Sequence, residues 1–199
     1  MADKQRKLPK QARSWQRYHH MLDTAAQLFD EHGIDPVTTN HIAETAGVPI
    51  GSLYQFFPNK DAIIEGLIER YHDTMKDVFP TDIDTSQAIE DVIREVLSGF
   101  MAFKQSQAGF QTVIIGIEGT SHAHLNTEMQ AEVINGIKTV LKAYYPQLSD
   151  EQHLLCATIS FSITVGMMPL NGIEHDALLK QMVMLKEIVA QSRCCSSLS

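Results

Sequence analysis

Apolar residues recur at steps of three and four along most of this chain, which is the pattern of helices. Trp15, Tyr18, Leu22, Ala25 or Ala26, and Phe29 form one stripe. They predict a first helix over residues 11–32, closed by Gly33, with the single tryptophan in the core. Residues 34–37 connect, with Val37 tucked beneath the domain. From 38 to 60 the pattern shortens into two small helices. Thr39 can cap the first, its hydroxyl accepting from the free amides of the opening turn. Gly47 ends it, since the residue past a helix often needs positive φ. Pro49 suits the start of the second, where no backbone N–H is required. Ile42, Ala46, Leu53 and Phe57 then point inward, while Ile50, Ser52, Tyr54 and Gln55 face out. Asn59 caps a following helix whose buried face is Ile64, Leu67 or Ile68, Tyr71, Met75 and Val78. Pro80 and its polar neighbours interrupt the pattern over 79–85.

The second half reads as helix throughout. Residues 86–107 carry apolar positions most of the way round, so that helix is buried on several sides. Gly109 breaks it, 110–117 is a short apolar helix, and a polar loop with His122 and His124 follows. A long helix covers 125–145 and ends at Pro146. Ser149 and Gln152 form a capping box for the next. Residues 159–165 alternate with period two and would pass for a strand. The capping box and the lack of a pairing strand favour helix, with Ala157, Ser160 and Thr164 on one line of small residues. After Pro169 and the Asn171-Gly172 turn, a last helix over 174–193 has the stripe Leu178, Met182, Leu185 and Val189. The expected fold class is all-α, with an N-terminal three-helix helix-turn-helix domain and a C-terminal helical domain. The expected divisions are a disordered basic arm (1–10), the helix-turn-helix domain (11–58), a linking helix (59–78), a helical body (79–193) and a tail (194–199).

Charge sharpens this picture. The chain of 199 residues has a formal net charge of −8, which taken globally opposes nucleic-acid binding. Its distribution does not. Residues 1–20 hold six basic residues (Lys4, Arg6, Lys7, Lys10, Arg13, Arg17) against Asp3, net +5; the other ten basic and 23 acidic residues give −13. The positive end adjoins the helix-turn-helix, where phosphates must be neutralised. Arg13 and Arg17, four apart, can lie near bound DNA. The second helix of such a motif enters the DNA major groove.

The run Ile42-Ala43, Ala46-Gly47-Val48, Gly51-Ser52-Leu53-Tyr54, Phe57 and Asn59-Lys60 resembles the DNA-binding signature of the TetR family of bacterial repressors, in order and spacing. The resemblance covers about residues 11–75; beyond that only length and helical layout agree. It implies that Thr39 holds a phosphate with nearby amides, that Tyr54 and Lys60 clamp phosphates, and that Gly51 permits close approach to the backbone. It places Val48, Ile50, Ser52 and Gln55 at the groove, and Pro49 with them. Two positions depart from the family pattern. Pro49 stands where a donor is frequent, and Phe56 where a histidine is frequent. Ile50 can meet a thymine methyl and Gln55 can pair with adenine, so DNA shape is expected to carry part of the specificity.

The resemblance further implies a homodimer on a palindromic double-stranded operator and a small-molecule effector in the second domain. The expected dimer surface is Ala157, Ser160, Thr164, Leu178, Met182, Leu185 and Val189. The alternative is a hairpin packed only on its own subunit. Candidates to line an effector pocket are Phe100, Phe103, Phe110, Ile114, His122, Met129 and Phe161, for a hydrophobic or aromatic ligand; the ordinary alternative for each is simple core packing. The chain has no metalloprotease, nucleophile-elbow, phosphate-loop or dinucleotide motif, so no catalytic residue, metal or cofactor is expected. It has no signal-peptide pattern and no apolar run long enough to span a bilayer, so a cytoplasmic location without membrane contact is expected. Cys194-Cys195 reads as tail rather than sensor. The leading expectation is a ligand-responsive repressor. The alternatives are an activator, or a small helical enzyme or carrier that keeps the motif as structure.

Overall fold

Eight α-helices follow one another among the described residues, with no strand: α1 (Ala12–His32), α2 (Thr39–Thr45), α3 (Ile50–Phe56), α4 (Lys60–Met75), α5 (Ile89–Ser106), α6 (Phe110–Gly116), α7 (Ala123–Tyr144) and α8 (Asp150–Met167). The computed structural model describes residues 8–9, 11–80 and 82–167. The expected stripe of Leu178, Met182, Leu185 and Val189 lies outside the described residues, as do Cys194, Cys195 and most of the basic arm.

The chain forms two compact units, Met1–Met75 with Ala102–Met129, and Lys76–Met101 with the chain from Gln130 on. This grouping differs from the expected boundary near residue 79, because residues 102–129 fold onto the N-terminal helices. In the first unit, Leu22, Phe29, Val37, Ile42, Leu53, Phe57, Ile63, Leu67 and Tyr71 are almost wholly buried. α6 packs against both α1 and α4. Gly109 makes that approach possible. It sits at φ +69°, and a Cβ there would come within 2.7 Å of the Ala26 carbonyl oxygen. The Tyr71 hydroxyl donates to the Ala108 carbonyl at 2.6 Å, and Thr112 donates to Asp30 at 2.9 Å. Burial pushes the Tyr71 phenol well above its ordinary range.

Local predictions met four differences here. α4 stops at Met75, and a single 3-10 turn (Lys76–Val78) follows, so Val78 leaves the helical stripe and is only half-buried. α5 begins at Ile89 rather than 86. Trp15 is 37% exposed, not core, because Tyr18, Met21 and Leu22 already fill the space beneath α1. Thr39 is not the cap of α2. Thr38 is, with extended backbone and its hydroxyl accepting from the His41 amide at 3.1 Å; Thr39 is already the first helical residue.

In the second unit, Ser149 and Gln152 form the reciprocal cap at 2.9 and 3.2 Å that opens α8. The alternating stretch 159–165 is helical, and the Thr158, Ser162 and Thr164 hydroxyls donate back to carbonyls four residues earlier. Phe79 lies against Gly136, where a Cβ would come 2.7 Å from its ring. The small-residue line of α8 does not present an outer surface. Ala157 and Ser160 are buried by the chain itself, and Thr164 is half-buried. Leu155 and Ile159 on the far side, and Leu154 and Val165 between, are all exposed. The sequence pattern marked these small residues as a line for the close approach of a helix, and Ala157 and Ser160 on it are buried.

Candidate nucleic-acid interface

The geometry of the outer face comes from the turn between α2 and α3. Gly47 (φ +64°) lets the Val48 amide return to the Ala43 carbonyl at 3.0 Å. The chain then bends sharply enough for Ile42, Ala46, Leu53 and Phe57 to meet on one buried side. Pro49 stands just before α3, and its carbonyl accepts from the Ser52 amide at 2.8 Å, so the missing proline N–H costs α3 nothing. The His20 imidazole donates to the Ala46 carbonyl at 3.0 Å and pins the turn to α1.

What remains outside is short and mostly polar. Pro49, Ile50, Gly51, Tyr54 and Gln55 are exposed, and Val48, Ser52 and Thr39 are half-buried. The Thr39 and Tyr54 hydroxyls share a hydrogen bond of 3.1 Å across the two helices. The two expected phosphate contacts therefore form one paired site. Lys60 behaves differently from the simple expectation. Its ammonium donates to the Ile34 carbonyl at 2.8 Å and the Asp35 carbonyl at 3.1 Å, which ties the α1–α2 connector to the first turn of α4. An ammonium has three protons, so one remains for a phosphate. Asn59 caps α4 as expected, accepting from the Ala62 amide at 2.8 Å.

The residues expected to line a pocket are split between the units. Phe103, Phe110, Ile114, His122 and Met129 belong to the first, Phe100 and Phe161 to the second. Phe110 meets Tyr71 edge-on at 5.3 Å and Phe103 edge-on at 5.0 Å, an aromatic cluster beneath α4. His122 is mostly buried, with its Nε2 3.5 Å from a Glu65 carboxylate oxygen on α4. His124 turns to the Ser121 carbonyl at 2.9 Å, so the two histidines do not converge. No group of three His, Cys, Asp or Glu residues suited to a metal occurs among the described residues. The sequence reading missed the Thr39–Tyr54 pair, the Lys60 clasp and the packing of residues 102–129 on α1 and α4. Gly109 was the one available signal for the last.

A buried inner face, a tight glycine turn and an outer face of hydroxyl, amide and apolar groups define a helix-turn-helix DNA-binding protein. Comparison with known proteins agrees along the chain. The profile of bacterial regulatory proteins of the tetR family matches residues 21–67. The profile of the tetracyclin repressor-like C-terminal domain matches residues 88–189. The chain belongs to the TetR family of transcriptional regulators, which are DNA-binding proteins and not enzymes. Among curated relatives, the nucleoid occlusion factor SlmA of Actinobacillus pleuropneumoniae is 27% identical over 111 residues, covering 55% of this chain and 54% of that protein. The transcriptional repressor KstR2 of Rhodococcus jostii is 25% identical over 122 residues, covering 57% and 60%. The chain thus spans little more than half the length of these relatives. Among solved structures, the Flavonoid-responsive Regulator FrrA superposes with a TM-score of 0.66 at 19% identity, over 89% of this chain and 97% of that one. A SmeT–triclosan complex gives 0.59 at 20%, over 85% and 87%. At such identities these two establish the fold.

Proposed function

We propose that this protein is a homodimeric repressor that binds a palindromic operator and leaves it when a small apolar or aromatic effector binds. The observation that carries the DNA reading is the paired Thr39–Tyr54 hydroxyl site on the outer face, above a fully buried inner face. In this reading Thr39 and Tyr54 share one phosphate, and Lys60 holds the connector while its remaining proton meets another. Val48, Pro49, Ile50, Ser52 and Gln55 touch the groove floor, and Gly51 allows the approach. Residues 11–58 read DNA, residues 59–78 link, and the later helices carry effector binding and dimerisation.

The exposed apolar side of α8, with Leu154, Leu155, Ile159 and Val165, supports dimerisation. It replaces Ala157, Ser160 and Thr164 as the proposed contact; the residues from Leu178 to Val189 keep their proposed part. An aromatic effector is supported by the Phe103–Phe110–Tyr71 cluster, and by the fold's occurrence in a flavonoid-responsive regulator and in a triclosan complex. No described helix is long and apolar enough to cross a membrane, which is compatible with a cytoplasmic place of action.

The test is a titration of the full chain against the DNA upstream of its own gene at three salt concentrations, with stoichiometry measured in parallel. Tight binding by two protomers per site, weakening steeply with salt and outcompeting random DNA, is the expected result. Binding no stronger than to random DNA there and in a genome-wide pull-down would overturn the reading.

A further inference from the structure

The first two turns of α1 carry a surface that the helix-turn-helix does not explain. Trp15, the chain's one tryptophan, is 37% exposed. Its ring stacks on the imidazole of His19, which is also exposed, with centroids 5.4 Å apart and planes 23° apart. Both rings meet the buried Tyr18 edge-on, at 5.4 and 5.5 Å. Tyr18 in turn stacks on Phe57 at 4.8 Å and meets Phe56 edge-on at 6.0 Å. A continuous run of rings therefore joins the exposed pair to the C-terminal end of α3. Core packing does not explain Trp15, because Tyr18, Leu22 and Phe29 already hold the buried stripe.

Chemistry selects the partner. α3 ends at Phe56, and Phe56 and the capping Phe57 carry no side-chain donor, so the donors of its last turn are those of Tyr54 and Gln55. When a helix lies in the major groove, sugar–phosphate strands pass beside its ends. A stacked indole–imidazole pair offers an apolar face to deoxyribose and ring N–H donors to phosphate. Arg13 and Arg17, on the same turns, are exposed and have no ion pair among the described residues, so they complement a polyanion. Two rings flanked by cations are too small and too charged for a stable protein contact. The family profile begins at residue 21, so this surface lies outside the matched signature.

We propose that Trp15 and His19 form a second contact to the DNA backbone, flanking the groove that α3 reads. The proposal rests on the chain's binding of DNA. The pair positions the protein and carries no sequence information.

Because Trp15 is the only tryptophan, its emission reports this site alone. The experiment uses the full chain and a 30-base-pair duplex recovered by it from a random-sequence pool. Binding is followed by gel shift and Trp15 by acrylamide quenching. On saturation the quenching constant should fall at least about twofold, as a partner covers the ring. Trp15→Ala and His19→Ala should each weaken binding about three- to tenfold, the worth of one hydrogen bond or ring contact. The loss should be equal for the recovered duplex and a scrambled one, and Trp15→Phe should restore part of it. Tight binding with unchanged quenching overturns the proposal, as does a Trp15 already shielded in the free protein. If the pool yields no duplex that outcompetes random DNA, the DNA-binding reading fails first and takes this proposal with it. The quenching measurement needs no variant, so misfolding of a mutant cannot mask the answer.

Discussion

The N-terminal helices and α8 use their apolar residues in opposite ways. Around α1 to α4, nearly every large aliphatic side chain is buried, and Ile50 on the outer face is the exception. On α8, four apolar side chains lie exposed within twelve residues, from Leu154 to Val165, while Ala157 and Ser160 are buried. The first region is satisfied within one chain. The second leaves four apolar side chains exposed among the described residues. The same kinds of residue, Leu, Ile and Val, therefore build a buried core in one place and, in the other, the exposed face proposed above for dimerisation.

Three variants break or sharpen this contrast. Phe57→Ala should have the largest effect, because Phe57 is fully buried and stacked on Tyr18. A loss of about 3–5 kcal/mol in denaturant unfolding is expected; a loss under about 1 kcal/mol would show that the head is not held by this core. Leu155→Glu with Ile159→Glu comes next. Unfolding of the protomer should change little, but light scattering should find a monomer, and operator affinity should fall at least about a hundredfold as coupling between half-sites is lost. A variant that unfolds instead would mean that this face is needed within one chain. Tyr71→Phe is the smallest. It removes the hydrogen bond to the Ala108 carbonyl, about 0.5–1.5 kcal/mol at neutral pH. The buried phenol is held neutral, with its pKa raised. Its contribution is complete below about pH 10, where the unfolded tyrosine ionises, and is lost as pH rises beyond that. The variant should show a shallower alkaline decline in stability than the wild type; an identical decline would mean that Tyr71 does not set it.

Much of this was legible in the chain. Periodicity placed α1, α4 and α7 within a few residues. The glycine at 47 and the capping pair Ser149 and Gln152 fixed a turn and a helix start, because those interactions span only a few residues. Even the strand-like run at 159–165 yielded to that local cap. The outer face of α3 was readable because helical geometry alone decides which positions share a side.

Long-range choices were not. Thr38 and Thr39 are both adequate caps by composition, and only the packed helix decides which lies outside it. Trp15 sits on a plausible core stripe but is displaced by neighbours that pack better. The folding of residues 102–129 onto α1 and α4 follows from the fit of Gly109 against the Ala26 backbone, a contact more than eighty residues apart. The sequence by itself determined the helices, their turns and the polar face of the motif, because these depend on local backbone chemistry and a 3.6-residue period. Tertiary structure alone decided which apolar faces are buried within the chain and which stay open, because burial depends on which surfaces meet, and one-dimensional pattern does not encode the partner.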